Sequence, residues 1–128
     1  MKSVLILSGG LDSTVAAYMT RKESPPVLAL TFDYGQRAAR REIAAAAKTA
    51  KRLGVPHKII SINWLGELTK TALVSEEKGL PILKETDLDN FDRCQKSAEA
   101  VWVPNRNGLF LNIAACYAES LDAEILVT

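Results

Sequence analysis

Four short apolar runs, set between helix-like stretches, constrain the fold more than any other feature of this chain. They span about Ser3–Leu7, Val27–Phe32, His57–Ile62 and Glu124–Val127. Runs of this kind lack the polar alternation of a strand with one wet face. Alternating with helical segments, they read as βαβ units whose parallel strands are buried on both sides. The expected fold is α/β, a twisted parallel sheet with helices on both faces. With 128 residues, a single domain over residues 1–128 is expected.

The intervening segments carry helix signals of uneven strength. The clearest runs from about Arg37 to Leu53, with Gly54 as its stop. Ile43, Ala46, Ala47, Ala50 and Leu53 recur at helical spacing and predict one apolar stripe, small enough to lie close to a sheet. Lys48, Lys51 and Arg52 load its end with positive charge, which suits the helix dipole. A second long helix is expected from about Gly108 to Leu121, burying Leu109, Ile113, Cys116 and Tyr117 with Ala114 and Ala115 filling in. Asn63–Val74 reads as a shorter helix. Between Ser75 and Glu99 the chain is polar and charged, and either a lid or a disordered excursion is expected there. The final run, Ile125-Leu126-Val127-Thr128, stops at a strand's carboxyl edge, where ligand loops of open α/β sheets begin. The chain therefore reads as the N-terminal part of a longer protein.

Composition narrows the setting. Sixteen basic against fifteen acidic residues leave a net charge of +1, no electrostatic footprint for nucleic acid. Arg40, Arg41, Lys48, Lys51 and Arg52 read as a solvated helix face, with no interleaved aromatics to track RNA. No apolar run is long enough to span a membrane, and no signal-peptide pattern precedes the first strand. The two cysteines, Cys94 and Cys116, form neither a disulfide framework nor a zinc spacing. A reduced, cytoplasmic setting is expected.

The chemistry is concentrated in three motifs. Ser8-Gly9-Gly10-Leu11-Asp12-Ser13 lies between the first strand and a stretch, Thr14–Met19, that reads as helix. Strand, glycine turn and helix start make an anion cradle. Glycines let the backbone approach a phosphate closely, and the unpaired N–H groups of a helix start point at it. Ser8 and Ser13 add hydroxyls. No Gly-Lys-Ser/Thr follows the turn, so it is not a lysine P-loop. Nor does it have the spacing of the dinucleotide fingerprint. The second motif, Phe32-Asp33-Tyr34-Gly35-Gln36-Arg37, leaves the second strand at its carboxyl end. The third, Val103-Pro104-Asn105-Arg106-Asn107, precedes the last helix, with Asn105 or Asn107 as its cap. A cation such as Arg106 at a helix N-terminus opposes the dipole unless an anion lies between them. His57, the only histidine, opens a parallel strand, which is the wrong edge for a catalytic base.

The first motif resembles the pyrophosphate loop of the PP-loop ATPases, or N-type ATP pyrophosphatases. That resemblance implies an adenine-nucleotide α-hydrolase-like, Rossmann-like fold and cleavage of ATP between its α- and β-phosphates. Asparagine, GMP and NAD synthetases and tRNA-modifying enzymes share such a loop. The three motifs together, in order and spacing, closely resemble the 7-cyano-7-deazaguanine synthase family of the queuosine precursor pathway. The resemblance implies an ATP-dependent carbon–nitrogen ligase that turns 7-carboxy-7-deazaguanine and ammonia into the nitrile preQ0, through an adenylated carboxylate and an amide. It assigns Ser8, Gly9, Gly10, Leu11, Asp12 and Ser13 to the phosphates, with Asp12 near magnesium. It sets the backbone around Phe32 against adenine and makes Gln36, Arg37, Arg106 and Asn107 candidates for nucleotide or deazaguanine. Asp12, Ser13 and Arg106 are the catalytic candidates.

The resemblance also implies a homodimer and a zinc held by four cysteines near the C-terminus. This chain lacks that cluster. His57, Cys94 and Cys116 are too few and too scattered to replace it. No metal ligand set is therefore assigned within the chain. Two other readings stay open: another PP-loop enzyme, such as a tRNA-thiolating one, and a nucleotide-binding module without catalysis.

Overall fold

The computed structural model describes residues 1–68, 103 and 105–128. Its elements are β1 (Ser3–Ile6), α1 (Leu11–Thr20), β2 (Pro26–Asp33), α2 (Ala39–Leu53), β3 (His57–Ser61), α3 (Asn63–Leu68), α4 (Arg106–Ser120) and β4 (Ile125–Val127). The chain divides into two compact units. One takes in Met1–Asp33, Ala38–Ser61 and Asn105–Thr128; the other takes in Tyr34–Arg37 and Ile62–Pro104. The first holds the whole described sheet with α1, α2 and α4; α3, with Leu65 buried, belongs to the second.

The sheet has four strands in the order β3-β2-β1-β4, and every pairing is parallel. Leu5 lies opposite Ala29 on one side and Val127 on the other, which sets the register of the centre. β1 is buried along its whole length: Val4, Leu5 and Ile6 are apolar, and the buried Ser3 hydroxyl donates to the Ser24 carbonyl at 2.7 Å. From β1 the chain steps to β2 and then β3; β4 returns to the opposite flank of β1. The connections thus reverse direction between β1 and β4. Crevices at such a reversal, above the carboxyl ends of the strands, are where open α/β sheets bind ligands.

Two layers of helix cover the sheet. Ala17 of α1 and Ala46 and Ala50 of α2 join Leu5, Leu7, Ala29, Val55 and Val127 in one core cluster. Alanines at the contact let α2 sit close to the strands, as its stripe predicts. Ile43 and Leu53 flank that line half-buried, while Ala47 is turned to solvent. Gly54 ends α2 in a left-handed conformation (φ 69°). Its N–H donates to the Lys51 carbonyl at 3.1 Å, and Val55 N–H donates to Ala50 at 3.0 Å. That pair of bonds is the Schellman closure.

α4 packs against β1 and β4 from the other side. Here the expected burial is corrected. Ala114 and Ala118 face the sheet; Leu109, Ile113 and Tyr117 are half-buried, and Ala115 and Cys116 are exposed. Cys116 stands two residues beyond Ala114, about 200° around a helix at 3.6 residues per turn, so it points away from the sheet. The expected helix of residues 63–74 is observed as far as Leu68. Its remainder, the Ser75–Glu99 segment and Cys94 lie outside the described residues. Among the described residues, no helix is long and apolar enough to cross a membrane.

Candidate functional site

β1 ends at Ile6 and α1 begins at Leu11, so the Ser8–Ser13 motif spans the turn between them. That turn sits beside the strand-order reversal. Its two glycines do different work. Gly9 is left-handed (φ 79°), and a Cβ there would lie 2.5 Å from the Glu42 carbonyl oxygen and 3.1 Å from Ala45 Cβ. Gly9 therefore lets the first turn of α2 press directly on the loop. Gly10 has an ordinary extended conformation (φ −82°, ψ 171°) at the N-cap of α1. A Cβ at Gly10 would meet only Ser8 Oγ, at 3.4 Å. The bare Gly10 backbone thus faces the open mouth of the turn.

No side chain caps α1. Thr14 N–H returns to the Gly10 carbonyl at 3.3 Å, and the Thr14 hydroxyl donates to the same oxygen at 2.8 Å. The N–H groups of Leu11, Asp12 and Ser13 precede the first intrahelical bond, at the positive end of the dipole. Leu11 is 78% exposed, so this helix start opens to solvent. Ser8 N–H donates to Ser13 Oγ at 3.2 Å, and the two serine hydroxyls are also 3.2 Å apart. The result is a concave set of backbone donors and two hydroxyls, suited to an anion with several oxygens. Asp12 stands exposed in the first turn of α1.

The same edge of the sheet gathers the end of β2 and the start of α4. Phe32 is 4% exposed, and its ring stacks flat on Phe110, with centroids 4.0 Å apart and planes at 3°. The ring is thus buried against protein. Phe110 was not anticipated from the sequence. Its signal was its place one turn into a helix that starts at the strands' carboxyl edge. Asn105 precedes α4 in a left-handed conformation (φ 47°) without a side-chain cap bond. Gly108 leaves room for the Asn105 side chain, whose Oδ1 occupies the space a Cβ would take. Arg106 Nε lies 3.4 Å from Asn107 Oδ1.

Ser8 to Ser13, Phe32, Arg106 and Asn107 therefore belong to one unit and to its carboxyl edge. Gln36 and Arg37 belong to the second unit. There Gln36 is buried and its Oε1 accepts the Tyr34 N–H at 2.9 Å, while Arg37 is exposed. That bond tightens the turn at Gly35, which is left-handed (φ 88°). His57, at the start of β3, has Nε2 2.7 Å from the buried Thr31 hydroxyl. Burial lowers its pKa below the ordinary 6.5.

The described residues include no group of three or more His, Cys, Asp or Glu side chains that would hold a metal. They do not fit a closed zinc site, which needs four such ligands. One carboxylate beside a phosphate cradle is the usual protein share of a magnesium site, the rest coming from phosphates and water. Asp12 fits that role.

Residues 2–128 match the family model described as queuosine biosynthesis protein QueC. The chain is 55% identical over 127 residues to the 7-cyano-7-deazaguanine synthase of Desulforamulus reducens, covering 99% of this chain and 56% of that protein. It is 49% identical to the same-named protein of Bdellovibrio bacteriovorus, over 98% of this chain and 55% of that one. With the Pelotomaculum thermopropionicum protein it shares 48% identity, over 100% and 58%. The chain thus spans a little over half the length of these relatives.

Proposed function

The chain belongs to the QueC family of queuosine biosynthesis proteins, and from that premise we propose that it acts in the ATP-dependent synthesis of 7-cyano-7-deazaguanine. The substrates are 7-carboxy-7-deazaguanine, ammonia and ATP. The substrate carboxylate attacks the α-phosphorus of ATP, and pyrophosphate leaves. Ammonia adds to the adenylated carbonyl, AMP leaves, and an amide forms after loss of a proton. The amide oxygen is activated in the same way by a second ATP. AMP then departs with that oxygen, and loss of the nitrogen's protons leaves the nitrile.

In this reading the backbone N–H groups at Gly9 to Ser13 hold the phosphates, and the Ser8 and Ser13 hydroxyls add donors. Their work is to orient the α-phosphate and neutralise the charge that builds on pyrophosphate. Asp12 holds magnesium, which when bound supplies further charge neutralisation to the phosphates. The Phe32 backbone faces adenine. Arg106, at the start of α4, places a cation where the substrate carboxylate and α-phosphate meet, with Asn107, Gln36 and Arg37 as contacts to nucleotide or deazaguanine. The protein works as a homodimer in the cytoplasm, on small molecules rather than nucleic acid.

One observation carries the proposal: the uncapped start of α1, with its glycine turn, opens at the strand-order reversal. The test is mass spectrometry of the deazaguanine product after incubation with magnesium, ATP and ammonia. Conversion of the acid to the nitrile supports the reading. Sulfur transfer to tRNA, or nucleotide binding with no change in the acid, overturns it.

A further inference from the structure

Thr31 is 1% exposed in the middle of the apolar β2, where valine would fill the same space. Its hydroxyl makes two contacts. Oγ1 donates to the Leu7 carbonyl at 2.8 Å, and Oγ1 lies 2.7 Å from His57 Nε2. A carbonyl can only accept, and a hydroxyl has one proton, so that proton belongs to Leu7. The second contact must then be donated by His57 Nε2–H. This fixes the imidazole tautomer, and the direction holds whether or not the other ring nitrogen is protonated.

Leu7 is the hinge between β1 and the loop. Its N–H is held by the Leu30 carbonyl at 2.8 Å, and its C=O is held by Thr31. The peptide from Leu7 to Ser8 is planar, so holding the carbonyl on one side aims the Ser8 N–H to the other. That N–H donates to Ser13 Oγ at 3.2 Å. Accepting this bond turns a lone pair of Ser13 inward and directs its proton along the loop, where Oγ donates to the Gly10 carbonyl at 3.4 Å. Each link polarises the next.

We propose that His57 and Thr31 are positioning residues for the anion loop, acting through this one-way chain across β3, β2 and β1 to orient the Ser13 hydroxyl. The proposal rests on the nucleotide reading of the loop. His57 touches no substrate; it sets the direction of the donors that do.

The test compares Thr31→Val, Thr31→Ser, His57→Phe and His57→Gln in the full chain. The first measurement is the amide ¹⁵N order parameter of Ser8 and Gly9; the second is a titration with inorganic pyrophosphate. In Thr31→Val the order parameters are expected to fall from about 0.85 to below about 0.6, while the strand amides hold their values. Pyrophosphate affinity is expected to drop about tenfold. Thr31→Ser and His57→Gln, which keep the donors, are expected to stay within about twofold of the parent, and His57→Phe to fall between. Unchanged loop order in both Thr31→Val and His57→Phe overturns the proposal, as does a loss of order spread evenly over the sheet. A parent chain that ignores pyrophosphate counts against the nucleotide reading, and the order parameters still decide the positioning claim.

Discussion

Gly9 and Gly10 are adjacent and identical, yet the structure gives them opposite tolerances. Gly9→Ala combines a left-handed backbone with a Cβ 2.5 Å from the Glu42 carbonyl. It is expected to destabilise the fold by about 2–4 kcal/mol in denaturant unfolding. Gly10→Ala meets neither obstacle and is expected to change stability by less than about 0.5 kcal/mol, while weakening ATP binding through the lost approach of backbone to phosphate. No sequence pattern distinguishes the two, because backbone conformation within a glycine pair is set by what packs on the turn. The Thr31–His57 bond was hidden for a similar reason: it joins residues 26 apart in sequence. Burial lowers the His57 pKa below its unfolded value of about 6.5. The folded state therefore favours the neutral ring. This contribution is complete above about pH 6.5 and diminishes as pH falls from there toward the lowered folded value, where the unfolded chain takes up the proton first. Unfolding titrations at pH 7.5 and 5.5 are expected to show a smaller acid loss in His57→Gln than in the parent.

Among the elements, the strands and α2 were the most legible, and α4 the least in its rotation. The strands announced themselves as apolar runs, and β1, β2, β3 and β4 fall within a residue or so of the expected limits. α2 carried a stripe of small residues and a terminating Gly54, both of which have a single structural meaning. α4 is different. Leu109, Phe110, Leu111, Ile113, Ala114, Ala115 and Cys116 make its first turns apolar nearly all round, so periodicity gives no phase. Packing close to the sheet selected the two alanines, Ala114 and Ala118, and turned Cys116 outward. Cys116→Ser is accordingly expected to alter stability by less than about 0.5 kcal/mol. Ala50→Leu, by contrast, forces a larger side chain between α2 and the sheet and is expected to cost about 1–3 kcal/mol, against almost nothing for Ala47→Leu on the solvent side. Thermal or denaturant melts of the three variants test both assignments.

At the scale of the molecule, the strand order decides where the loop after β1 lies. The β3-β2-β1-β4 arrangement places the turn after β1 beside the reversal of connections, and every helix start in the sheet unit lies at the same edge. The Ser8–Ser13 turn, the end of β2 and the start of α4 are thereby drawn to one edge from segments far apart in sequence. Their types and order were visible in the chain; their convergence is a property of the parallel sheet. Gln36 and Arg37 were legible as a motif; within the second unit the Gln36 side chain closes the turn at Gly35 by accepting the Tyr34 N–H. The central claim is that the cradle holds ATP for cleavage between its α- and β-phosphates. ³¹P NMR of ATP incubated with the protein, magnesium, ammonia and 7-carboxy-7-deazaguanine tests it most directly. The account predicts AMP and pyrophosphate, formed only when the deazaguanine acid is present. ADP and inorganic phosphate, or turnover indifferent to the acid, would contradict it.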